Sequence, residues 1–288
     1  MQKFNKKINE IKKAHNNYIS NFRYYLDKIN KRDLILSISC ENNNIKIWNI
    51  NNLECLLNLE NVNSFQYLNS ACFLKDENQN YILSTNCNWS GPCDPIKIFD
   101  FNGNKIKEIN DSNDNTLFID TYYDNKISKK YIVTANNNYV KSYDYTKNII
   151  YHIYEDYSDD NCHRSIIIFE NNNIIKLVES SQDGKIRIWD FHSGQLLKKI
   201  NIYRGDLIGI CLYNNKYLFV GCEVGEMKLI ELNKGTIIKN IKYNNNDIIT
   251  IKKITHPKYG NCLIIHNILK GQIILFIINN NILNEDKI

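Results

Sequence analysis

The sequence predicts an all-β fold assembled from a repeated four-stranded unit, and three observations predict it. Apolar runs of four to eight residues with period-two alternation recur along the whole chain. Asn, Asp and Gly, the residues that tolerate turn backbones, separate those runs. The best-defined segments return at a nearly fixed interval. A chain of 288 residues suits one closed all-β domain, and 43% hydrophobic content with 19 Tyr and 11 Phe supplies its core.

Six segments carry the repeat: residues 44–49 (NIKIWN), 95–100 (PIKIFD), 139–144 (YVKSYD), 185–190 (KIRIWD), 226–231 (EMKLIE) and 272–277 (QIILFI). Their anchors are Trp48, Phe99, Tyr143, Trp189, Ile230 and Phe276, spaced by 51, 44, 46, 41 and 46 residues. A β-rich run precedes each anchor, at 34–40, 81–85, 130–135, 174–178, 217–222 and 262–266. Further runs follow, such as 53–57, 105–109, 196–200 and 236–241, so each interval holds four strands. Short Asn runs at 42–44, 136–138, 171–173 and 244–246 sit between apolar stretches, where a residue tolerant of positive φ is useful. An AT-rich coding sequence also enriches Asn, but it does not explain this placement. Residues 3–13 form the one serious helix candidate and are read as a strand, for a reason given below.

The most complete unit is Val178–Leu197, with an Asp183-Gly184 tight turn and a terminal Trp189-Asp190. Asp-Gly supplies the positive φ of a two-strand turn. This unit resembles the WD40 repeat family, and the spacing of the anchors agrees with the period of WD40 propeller blades. The resemblance implies a WD40-type β-propeller in which a His, a Ser, an Asp and the strand Trp form a buried hydrogen-bonded network. His163, Ser180 or Ser181, Asp183 and Trp189 would fill those places; which serine serves depends on the pleat register. These roles are structural, and a catalytic Ser–His–Asp reading has little behind it. The other units depart from the family pattern. Trp48 is followed by Asn49, and Phe99, Tyr143, Ile230 and Phe276 stand where the family has Trp.

The resemblance also implies how a ring would close. Residues 6–12, followed by His15 and Ile19, look like the family's outer strand and its His-bearing loop, while the last unit ends near Ile278 without an outer strand. Residues 6–12 would complete that blade and leave no large unpaired edge. Six anchors give six blades in a single domain over 1–288; seven is the alternative, with a degenerate blade inside the 51-residue interval.

Candidate partner-binding residues lie in loops. The segment 86–95 holds two of the three prolines and displays Trp89, with Asp94 near its end. A loop Trp buries a large area at small entropic cost, and it also has the alternative of folding back onto its own blade. In the family, the loops joining the second strand to the third and the fourth to the next first share one face. Besides Trp89 and Asp94, that face would offer Asp159, Asp160, Arg164, Tyr203 and Arg204, a set suited to acidic or phosphorylated peptides.

Composition narrows the function classes. The net charge of +5 is spread without a block of five like charges, which argues against a nucleic-acid reader. Nine cysteines show no C-x-x-C spacing, and the pair Cys87 and Cys93 is read as inert rather than redox or metal-binding. His15, His163 and His256 lack metal spacing, and no Gly-rich phosphate loop occurs, so no metal or cofactor is expected. The start carries no apolar signal region, and the longest apolar run, 272–278, is too short to span a bilayer. A reducing compartment, cytoplasmic or nuclear, is expected. The sequence therefore points to a non-catalytic protein-interaction scaffold, a monomer within a larger complex. A propeller enzyme with a site in the central channel and a nucleic-acid-binding propeller are the alternatives.

Overall fold

The structure is a computed structural model that describes residues 14–17, 19–28, 30–40, 42–62, 67–76, 79–87, 93–110, 115–156, 162–242, 250–256, 260–267 and 272–278. It is all-β, in the sheet arrangement of a β-propeller. The first sheet holds β1 (Asn21–Asp27), β2 (Arg32–Ser39), β3 (Asn44–Asn49) and β4 (Glu54–Leu59). The second holds β5 (Tyr67–Lys75), β6 (Asn80–Cys87), β7 (Ile96–Asp100) and β8 (Lys105–Ile109). The third holds β9 (Thr116–Asp124), β10 (Lys129–Asn136), β11 (Val140–Asp144) and β12 (Ile149–Tyr154). The fourth holds β13 (His163–Asn171), β14 (Ile174–Ser181), β15 (Lys185–Asp190) and β16 (Leu196–Asn201). The fifth holds β17 (Leu207–Tyr213), β18 (Tyr217–Cys222), β19 (Glu226–Glu231) and β20 (Thr236–Lys242). β21 (Thr250–His256), β22 (Gly260–Asn267) and β23 (Gln272–Ile277) make a three-stranded sheet.

Every sheet is a meander in which chain neighbours pair, so the described residues form five complete four-stranded blades and one sheet of three. Residues 6–12, expected to complete the last sheet, lie outside the described residues, as does the whole helix-or-strand segment 3–13. The expected third strands coincide with β3, β7, β11, β15, β19 and β23 to within a residue.

The repeat is visible in the hydrogen-bond register as well as in the spacing. In four sheets the pairing of third and fourth strands slips at the anchor, between Ile47 and Trp48, Ile98 and Phe99, Ile188 and Trp189, and Leu229 and Ile230. One extra residue there bends the outer strand and increases its twist. Turn chemistry follows the sequence: seven of the ten described non-glycine residues with positive φ are Asn. Asn43, Asn172 and Asn173 fall within the expected Asn runs, and Asn214 and Asn215 add another turn. No residue of 136–138 has positive φ, because Asn136 still belongs to β10. Residues 244–246 lie outside the described residues.

The chain divides into two compact units, residues 1–137 with 141–151, and residues 138–140 with 152–288. In the first unit, Leu34, Leu36, Ile38, Ile45 and Ile47 of the first sheet pack on Leu68, Ala71 and Ile82 of the second. The opposite face of the second sheet, with Leu83 and Ile98, meets Ile119 and Ile132 of the third. In the second unit, Val178, Ile186 and Ile188 pack against Ile210, Leu218 and Val220, and Phe219, Met227 and Leu229 against Leu263 and Ile265. Each fully buried Ile or Leu contributes about 1.5–3 kcal/mol. The second and fifth sheets, packed on both faces, leave loops and outer strands as their free surface.

Candidate functional site

The site is built on a residue position that recurs in all five complete blades: a basic side chain two residues before the anchor. These are Lys46, Lys97, Lys141, Arg187 and Lys228. Alternation puts this side chain on the same face as the anchor, inside the blade stack. Lys97, Lys141, Arg187 and Lys228 are buried, and Lys46 is half-buried. A buried cation needs partners. Four of the five find one in the segment leading into their own blade's first strand. Lys46 Nζ donates to the Ala14 carbonyl at 2.8 Å, and Lys97 Nζ to the Val62 carbonyl at 2.9 Å. Arg187 Nε donates to Asp156 Oδ2 at 2.9 Å, and Lys228 lies 5.7 Å from the centre of the Tyr203 ring. In those four blades the basic residue therefore ties the incoming segment to its blade.

Arg187 does this most strongly. Its Nη2 donates to Asp183 Oδ2 at 2.6 Å, and Glu179 Oε1 lies 3.9 Å from its Nε. Glu179, fully buried, also makes an ion-pair contact of 2.6 Å with Nδ1 of His163. Burial alone would lower the His163 pKa, but Glu179 outweighs it and raises the imidazole above its ordinary range. Burial likewise works against the Asp183 carboxylate, yet Arg187 and Lys185 hold its pKa below the usual range. Lys199 pairs with Asp156 on the outer side.

The structure thus brings His163 and Asp183 into one network, but through Glu179 and Arg187. This corrects the expected one. Trp189, 2% exposed, has no hydrogen-bond partner for its Nε1–H among the described residues. Ser181 donates to the Cys162 carbonyl at 3.2 Å, and Ser180 Oγ is buried without a partner. Register explains the difference. Leu177 pairs with Trp189 and Glu179 with Arg187, so the rung next to the Trp on its own face carries Glu179. Ser180 points to the opposite face, and Ser181 lies one rung too far.

The His–Ser–Trp chain is instead assembled in the first blade. There Ile35 pairs with Trp48 and Ser37 with Lys46, so Ser37 occupies the place that Glu179 holds in the fourth. Trp48 Nε1 donates to Ser37 Oγ at 2.8 Å, and His15 Nε2 lies 2.7 Å from the same hydroxyl. Burial, and then the charge of Lys46, depress His15 to about 4. The neutral ring accepts a hydrogen bond from the serine hydroxyl, and protonation would remove that acceptor. Because the folded pKa lies below the unfolded value of about 6.5, stability is expected to fall as pH drops from about 6.5 towards 4. The loss is on the order of 2 kcal/mol, and urea melts of the wild type against H15Q check it. An equally steep acid limb in the variant would refute the assignment.

The candidate partner residues separate in the structure. Trp89, Asp159 and Asp160 lie outside the described residues. Asp94 is half-buried and pairs with Lys97 at 3.0 Å, a tie within its own blade. Cys93 Sγ lies 3.0 Å from Asn115 Oδ1, and the Cys87 side chain lies outside the described residues.

Arg164, Tyr203 and Arg204 do come together, around the loop between β16 and β17. Arg164 holds Asp206 with two nitrogens, at 3.1 and 2.8 Å. Tyr203 is half-buried under Lys228, and Arg204 is exposed. The Asp183-Gly184 turn braces the loop: Ile202 N and Tyr203 N both donate to the Gly184 carbonyl, at 2.9 and 3.1 Å. Glu223 N donates to the Asp206 carbonyl at 3.0 Å, closing the other side. Second-to-third and fourth-to-first loops thus lie together here, as expected. Sequence reasoning missed Glu179, Asp156, Ser37 and the basic column. The column had a readable signal, a Lys or Arg at one fixed offset from five anchors.

Among the described residues no three His, Cys, Asp or Glu side chains converge as metal ligands, and no helix is long and apolar enough to cross a membrane. No family model matches the chain, and no curated protein does. Among solved structures it is similar to the computationally designed Ika8 protein, with a TM-score of 0.61 over 92% of this chain and 85% of that one. Identity between the two is 12%, so the likeness is one of fold.

Proposed function

We propose that this chain is a WD40-type propeller of six blades, the last completed by residues 6–12, that serves as a non-catalytic platform for another protein. The observation that carries the reading is the braced loop at 202–206. Its backbone is fixed by three hydrogen bonds and the Arg164–Asp206 pair, while Arg204 stands exposed at its tip. A loop ordered before binding loses little entropy on binding, and an exposed arginine beside a tyrosine suits recognition of an acidic segment. A reducing, cytoplasmic setting goes with this reading.

Affinity purification from the native cell with quantitative mass spectrometry tests the platform. The wild type is compared with Arg204→Glu and with Lys239→Glu, an exposed charge on β20. A reversed rim charge changes binding by roughly 2 kcal/mol. One set of proteins is therefore expected to fall at least about tenfold with Arg204→Glu and to persist with Lys239→Glu. Identical recovery with both variants, or no protein enriched over a bait-free control, would count against the reading.

A further inference from the structure

Arg23, in the first compact unit, is a buried cation without a counter-ion among the described residues. It lies on β1 opposite Leu36 and is 7% exposed. Its side chain reaches the first strand of the third sheet. There Nη2 meets the Ile119 carbonyl at 3.5 Å, the limit of a hydrogen bond, and the guanidinium carbon lies 4.4 Å from the centre of the Phe118 ring. Its Nε–H is buried and has no partner. On the way it passes β5, where its charge is felt at the Cys72 thiol.

Three other buried cations are treated differently. Lys97, Arg187 and Lys228 each have a carboxylate, at 3.0, 2.6 and 3.6 Å. Among the described residues no carboxylate is within ion-pair distance of Arg23. Asp120, whose charge also reaches Cys72, accepts from the Thr121 backbone N–H at 2.9 Å. Arginine does not shed its proton inside a protein, so the charge stays. A ring face offsets part of the lost hydration, and one carbonyl at 3.5 Å adds little. What remains is a desolvated donor edge, a strong attractor for negative charge.

We propose that Arg23, backed by the Phe118 ring, binds a small oxyanion, carboxylate or phosphate, at the first strands of the first unit. The ring covers one face of the guanidinium, and the in-plane Nε–H, unpartnered, is the donor that an oxygen of such an anion would accept from. Burial selects a small ligand: a bulky one would not reach a side chain so enclosed. The site is independent of the platform reading and of the loop at 202–206.

The test uses the full chain in phosphate or formate, against chloride at the same ionic strength. In the wild type the Nε–H resonance of Arg23 is expected to shift saturably with one or both anions. The melting temperature rises with it, by about 3 °C at tenfold excess over Kd. Comparing phosphate with formate tells which oxyanion the site prefers. Arg23→Met is expected to melt no lower than the wild type in chloride and to lose the saturable response. Phosphate also stabilises proteins by exclusion from their surface, so only the difference between wild type and variant counts. A wild-type Nε–H resonance that neither anion moves would overturn the proposal, whether or not the variant folds. So would a saturable melting response retained by Arg23→Met.

Discussion

Arg187→Met is expected to destabilise the protein by about 3–5 kcal/mol, the cost of breaking a buried ion pair from one side. Methionine fills much of the arginine stem's volume, so cavity formation is a small part of the loss. The rest comes from what is stranded. Glu179 has no exposed surface, and Asp183 and Asp156 are 7% and 13% exposed, all three within 3.9 Å of the guanidinium. Lys185 and Lys199 remain beside Asp183 and Asp156, but Glu179 keeps only His163. Adding Glu179→Gln to Arg187→Met is therefore expected to recover part of the loss, because the neutral amide no longer needs a cation. Urea midpoints of the two single variants and the double variant check this. A loss below about 1 kcal/mol for Arg187→Met would mean that the network is solvated and carries little stability.

The strand positions were legible in the sequence because period-two alternation and a large anchor side chain mark them directly. Asn44–Asn49 and Lys185–Asp190 are strands over the expected bounds. The polar network was not legible in the same way. Ser180, Ser181 and Asp183 match a familiar pattern, and nothing in composition tells that Glu179 stands on the rung beside Trp189. Only the pairing of β14 with β15 decides it, and a shift of one residue reverses every side chain. The same rule places the working chain at His15, Ser37 and Trp48, in a blade whose Trp48 is followed by Asn49 rather than Asp. At the candidate surface, sequence named Arg164, Tyr203 and Arg204 singly. It could not show that Asp206 takes up Arg164, which leaves Arg204 as the exposed cation of the three.

Gly184→Ala is the second large effect, and it connects the fold to the proposed platform. Gly184 has φ of +75°, and an added Cβ would lie 2.0 Å from the Tyr203 carbonyl oxygen, 2.8 Å from its carbon and 3.0 Å from the Gly205 oxygen. All three are backbone atoms, so no side chain can swing aside. The turn must deform or the loop at 202–206 must leave it, losing the hydrogen bonds from Ile202 N and Tyr203 N. The expected cost is about 3 kcal/mol. Gly103→Ala is the internal control. Its φ of +90° carries comparable backbone strain, but the nearest atom to its added Cβ is Leu59 Cδ2 at 3.0 Å, on a side chain that can yield. That variant is expected to lose about 1 kcal/mol and to keep whatever partner the wild type binds. Gly184→Ala, by moving the loop that presents Arg204, is expected to lose the partner even below its melting temperature. Urea melts and partner recovery on both variants separate the two effects. Equal losses would show that the contact with Tyr203 does not hold the loop, and the case for an ordered binding surface there would fail.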